Sequence, residues 1–117
     1  MRFNMFSLNR QIVILKPKQP FLNWLNSFNN KNLSLEDIRS DCTVFLIPVF
    51  DSLKEVEKYI RGIFPDLFDM ELGEWNVDEV LWPKERTIEM FREWFDIYFH
   101  STVIDAVEKE ILKEELF

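Results

Sequence analysis

Two apolar runs constrain what this chain can fold into more than any other feature. Gln11-Ile12-Val13-Ile14-Leu15-Lys16 is stopped by Pro17, and a second run extends from Cys42 through Val44-Phe45-Leu46-Ile47 to Val49. Both are short and rich in β-branched or aromatic residues, and neither alternates with polar residues. That is the pattern of strands covered on both faces. A chain of 117 residues makes one compact domain. Two doubly covered strands in so small a domain demand helices on both sides of the sheet or a second copy.

The segments between the runs read as helices. Phe21, Trp24, Leu25 and Phe28 recur at helical spacing, and Pro20 suits a first turn, where its missing N–H costs nothing. Asn29 to Asn32 closes that helix as a loop. Ser34 and Asp37 form a capping box for a short second helix, with Leu33 placed to staple onto Ile38. Ser52 and Glu55 form another, opening a helix with the apolar stripe Leu53, Val56, Ile60, Ile63. Pro65 is expected to end or kink it, with Phe64, Phe68, Leu72 and Trp75 lining one face of a following segment. A loop spans residues 76–84, and a helix from Thr87 to Trp94 aligns Ile88, Phe91 and Phe95.

Residues 95–105 fit two patterns. Phe95, Ile97, Phe99 and Val103 alternate as a strand, while Phe91, Phe95, Phe99, Val103 and Ala106 fit a helix nearly as well. The density of aromatic and β-branched residues favours a third strand. The sum is a small single α+β domain over 1–117, about three strands packed with several helices. Residues 1–9 are left as a candidate flexible N-terminus and 107–117 as a charged terminal helix or tail.

Composition excludes more than it assigns. One histidine, one cysteine and two glycines leave too few residues for a zinc site or a phosphate-cradling glycine loop, so no metal and no cofactor is expected. A net charge of -7 argues against nucleic acid as a partner. A lone Cys42 cannot close an internal disulfide, which points to a reducing, cytoplasmic location with Cys42 as a small core residue. No run is long enough to span a bilayer, so no membrane partner is expected. Aromatic residues make up 15% of the chain, enough to build a core without disulfides.

Few side chains remain as candidates for chemistry. His100 is the default acid or base because its ordinary pKa lies near neutrality. On a strand it shares a face with Asp96, while Ser101 and Asp105 point away, so no triad forms from neighbours in sequence. Lys18 sits where a strand hands over to a helix, a place that attracts anions. Trp82 and Arg86, beside the rigid Pro83, have the ingredients of a binding hot spot. The structural alternative has Trp82 sealing helix ends and Arg86 paired to Glu85 or Glu89. Asp66, Asp69, Glu71, Glu74, Asp78 and Glu79 read as a solvated acidic face.

Three blocks, Lys16 to Asn26 (KPKQPFLNWLN), Asp41 to Pro48 (DCTVFLIP) and Met90 to Phe95 (MFREWF), resemble a family of small uncharacterised bacterial proteins. The resemblance spans most of the chain and carries over no functional residue, because it implies no assigned activity.

Whether the chain is an enzyme stays open. The leading expectation is a non-catalytic protein-interaction module that binds a protein partner or itself, an immunity- or antitoxin-like inhibitor of a basic partner being one version. The alternative is a small enzyme or ligand-binding protein with a pocket near Lys18, Arg86 and His100. A concave pocket gathering those three groups favours the second; an apolar patch rimmed by carboxylates favours the first.

Overall fold

The computed structural model describes residues 2–117. It is a single α+β domain of four helices and five strands. The central sheet is antiparallel, in the order β3-β2-β4. Its middle strand is β2 (Gln11–Pro17), flanked by β3 (Val44–Ile47) and β4 (Phe95–His100). The ambiguous stretch therefore begins as a strand, and β4 stops at His100 rather than running to 105. A two-residue strand β5 (Ile104–Asp105) follows and pairs with β1 (Phe6–Ser7), so part of the N-terminal segment is built into a ribbon.

The ribbon continues the β2–β4 ladder past a bulge. Between the pairs Ser7↔Ile104 and Ile12↔His100 the first strand spends one residue more than the second. The Leu8 N–H donates to the Val103 carbonyl at 3.0 Å across that interruption. An extra residue on one strand increases the local twist and lets the ribbon bend away from the sheet.

Helices α1 (Gln19–Asn26), α2 (Leu35–Arg39), α3 (Leu53–Trp75) and α4 (Ile88–Trp94) supply the rest of the core. The Ser34–Asp37 capping box forms as its sequence implies. At α3 the capping box is only half made: Ser52 accepts from the Glu55 N–H, but the Glu55 carboxylate turns back to the Asp51 N–H at 3.0 Å. Pro65 does not end the helix. Both Pro65 and Arg61, whose carbonyl loses its partner, lie on the exposed side of α3, where the orphaned oxygen is open to solvent. Residues 106–117 are not helical and are exposed throughout.

The strands are covered on one face only. Val13, Leu15, Ile47 and Phe95 are buried against helical Phe21, Leu25, Val56, Ile60, Phe68 and Phe91. The opposite face carries Ile12 and Ile14 from β2, Val44 and Leu46 from β3, and Tyr98 and His100 from β4, aligned by the strand register. Val44 and Leu46 are 53% and 49% exposed, so the expectation that β3 is covered on both faces fails within one chain. Every helix has been spent on the other side, where the aromatic side chains gather. Gln11, at the start of β2, is buried among them; its side chain both donates to and accepts from the Phe50 backbone, at 3.4 and 2.9 Å, holding the β3–α3 connection.

Gly62 lies on the exposed side of α3, and a Cβ built there meets no atom within 4 Å. Gly62→Ala is therefore expected to raise stability by about 0.5–1 kcal/mol through helix propensity alone, read as a higher urea midpoint with an unchanged slope.

Candidate functional site: an acidic groove at Trp82

Because α3 continues through Pro65, its second half presents two stripes. Leu67, Phe68, Glu71 and Leu72 turn inward and are buried. Asp66, Asp69, Met70, Gly73 and Glu74 recur at i, i+3, i+4, i+7 and i+8 on the other side, followed by Val77 beyond the helix end. These outward residues, with Glu79, Trp82, Leu116 and Phe117, line an open groove of about 850 Å³. Its floor is apolar, and four carboxylates rim it.

Trp82 is held there by local structure. A 3-10 turn at Glu79–Leu81, capped by the Asp78 side chain, aims the indole back at α3. Its Nε1–H donates to the Asn76 carbonyl at 2.7 Å, and the ring lies beside Gly73, 3.6 Å from where a Cβ there would stand. Trp82 thus both closes the end of α3 and forms a half-buried wall of the groove.

Arg86 pairs with neither Glu85 nor Glu89. Its guanidinium bridges to Asp69 on α3 and lies over the rings of Phe68 and Trp82, at 5.4 and 5.7 Å from their centroids. A cation over aromatic faces while bonded to a carboxylate is a rigid strut. Arg86 fixes Trp82 and Asp69 together from behind the groove.

The other two candidates lie elsewhere. Lys18 precedes α1, and its backbone N–H donates to the Trp94 carbonyl at 2.8 Å while its Nζ reaches the Arg92 carbonyl at 3.2 Å. It clamps the ends of α1 and α4 together. His100 lies opposite Ile12, six residues along the chain from Lys18. At about 3.3 Å per residue the two backbones are roughly 20 Å apart. The His100 side chain is exposed and, among the described residues, makes no hydrogen bond. A cleft of about 370 Å³ between α3 and β4 and another of about 550 Å³ at the end of α3 contain neither Lys18, Arg86 nor His100. Among the described residues no cluster of three or more His, Cys, Asp or Glu could hold a metal ion, and no helix is long and apolar enough to cross a membrane.

Glu71 departs furthest from the solvated face its neighbours suggest. It is 5% exposed, and its Oε1 has no hydrogen-bond partner among the described residues. Burial, reinforced by the charge of Glu74 and eased by the Thr43 hydroxyl, pushes its carboxyl up to about 7. Spacing reveals it once α3 is drawn unbroken, since Glu71 then falls in the stripe of Phe64, Phe68 and Leu72. Half-buried Cys42 lies near the same region, its thiol raised by burial, and its Sγ meets the Arg39 carbonyl at 3.5 Å.

Compared with known proteins, the chain matches no family model, no curated protein and no solved structure.

The Glu71 environment generates a pH dependence of unusual sign. A carboxyl raised in the folded state binds its proton more tightly there than in the unfolded chain, so stability falls as pH rises from about 4.5 to about 7. Glu71→Gln removes that penalty. It is expected to stabilise the fold by on the order of 2 kcal/mol at about pH 8 and by little at about pH 4, measured by urea unfolding across that range.

Proposed function

We propose that this chain is a non-catalytic interaction module whose Trp82 groove takes a basic, apolar-faced segment of a protein partner. The observation that carries the reading is the groove itself: Met70 and Trp82 are half-buried at its base, exposed Val77, Leu116 and Phe117 line it, and Asp66, Asp69, Glu74 and Glu79 rim it. Among the described residues neither Asp66 nor Glu79 is held in an ion pair, so both are available to a cation. An aromatic anchor within charged surroundings is the composition of an interaction hot spot, and the overall charge of -7 would speed encounter with a basic partner. Lysine or arginine stems lying over Trp82 would gain both the ring face and the carboxylates.

A synthetic amphipathic helix with leucines on one face and lysines on the other is the probe. In a heteronuclear NMR titration the indole N–H of Trp82 and the amides of Met70, Gly73 and Val77 are expected to shift together. Affinity should fall as salt is raised. Asp66→Lys with Glu79→Lys should weaken binding by about tenfold or more, a loss of about 1.4 kcal/mol or more. Shifts confined to other surfaces, or binding unchanged by the double substitution, would overturn the reading.

A further inference from the structure

The geometry points to a second docking surface, independent of the groove: the outer edge of β4 and the cleft beside it take an extended segment of a partner protein as an added strand. The ladder fixes which groups face that edge. The Lys18 N–H donates to the Trp94 carbonyl at 2.8 Å, one step beyond the pair Pro17↔Phe95. Hydrogen-bonded pairs alternate along an antiparallel ladder, so Asp96, Tyr98 and His100 bond to β2. Ile97 and Phe99 therefore turn their N–H and C=O groups outward. Pro17 has the same phase, since its carbonyl points away from β4 and accepts from Arg39 at 2.9 Å. Among the described residues β4 has β2 as its one neighbour in the sheet, and nothing pairs with the outward groups of Ile97 and Phe99.

This edge is also unguarded. Proteins protect an edge strand with proline, lysine, a bulge or short length. Phe95–His100 contains neither proline nor lysine, and the bulge comes only after His100. Its one carboxylate, Asp96, is on the uncovered face of the sheet and is bridged to Arg39 at 3.0 Å. The opposite edge, β3, is four residues long and is followed by Pro48.

The cleft selects the occupant. It has a volume of about 370 Å³ and is lined by Val56 and Ile60 from α3 and by Phe95, Ile97 and Phe99 from β4. Leu53 lines it too and is 64% exposed. The unpaired groups of Ile97 and Phe99 repeat every second residue, about 6.8 Å apart, which is the repeat of another strand. A helix has already bonded its own backbone groups and cannot answer them. Every second side chain of an added strand falls on the cleft side, so those positions are apolar. Glu57 and Arg92 complete the lining, both exposed and, among the described residues, in no ion pair. They call for one basic and one acidic side chain on the same strand. A second copy is a poorer occupant, because two chains at -7 each repel.

The probe is a short synthetic peptide, capped at both ends, that alternates valine and threonine between a terminal glutamate and a terminal lysine. Its reversed sequence is tested alongside, since a strand can add in either direction. In a heteronuclear NMR titration of the full chain, the amide protons of Ile97 and Phe99 are expected to move downfield. Their hydrogen exchange should slow by about tenfold or more, while Asp96, Tyr98 and His100, already bonded to β2, change little. Ile97→Pro removes an outward N–H at an edge, where proline is tolerated, and should weaken binding by about tenfold. Arg92→Glu should weaken it similarly, and a peptide with lysine in place of its glutamate should recover the loss. If circular dichroism shows Ile97→Pro unfolded, the Arg92→Glu pair of measurements carries the test. Neither peptide binding at millimolar concentration overturns the inference. So do shifts without the alternation, or shifts at the Trp82 groove in place of β4. Protection of Ile97 and Phe99 that grows with protein concentration in the absence of peptide also overturns it, by giving the edge to a second copy.

Discussion

The aromatic cluster at the centre of the helical layer is the interaction on which the other elements depend. Phe68 of α3 lies within 5.5 Å, centroid to centroid, of Phe91, Trp94 and Phe95, and Phe95 is in turn 5.3 Å from Phe21 of α1. One ring thus ties α3 to α4 and to the first residue of β4, and the next ring ties β4 to α1. Edge-to-face and tilted geometries dominate, as ring quadrupoles prefer, and each pair adds about 0.5–1.5 kcal/mol beyond burial. A 117-residue chain without a disulfide has few other ways to fix four helices to three strands. The cluster also sets the site, because Arg86 lies over Phe68 while holding Asp69 and Trp82.

Concentrating the aromatic mass on one side has a consequence for the sheet. There is one layer of helices, and the aromatic side chains draw it to the face of Val13, Leu15 and Ile47. The other face keeps a sequence suited to burial without an intramolecular cover. The same asymmetry separates the charges. Carboxylates collect along the outer stripe of α3, while the sheet face carries Lys16 and the Arg39–Asp96 ion pair. An acidic groove and an uncovered apolar sheet face are thus two products of one packing decision.

Much of this was legible in the residues. The strand at Gln11–Lys16 and the helix over Thr87–Trp94 follow from apolar spacing, and the helix start at Ser34 from its capping box. What spacing could not supply was tertiary. Pro65 reads as a helix end or kink, and with Phe64 and Phe68 anchoring the helix on both sides of it α3 runs on. Drawing a break there hid both the groove stripe and the buried position of Glu71. The partner of Arg86 was equally out of reach, because Asp69 is 17 residues away in sequence and only the return of the loop over α3 brings them together. Lys18 and His100 were candidates by residue type, and the β2 register alone separates them.

Glu71 ties the core to the groove. Its carboxyl lies one residue from Met70 on the groove side and close enough to Glu74 for that charge to raise its pKa. A cation bound at Glu74 would offset that charge and favour ionisation of Glu71; ionisation of Glu71 would in turn strengthen the attraction for the cation. Reciprocity between the two sites follows from linkage. The buried carboxyl is therefore costly to the fold above neutrality, and the charge of Glu74 on the groove rim adds to that cost.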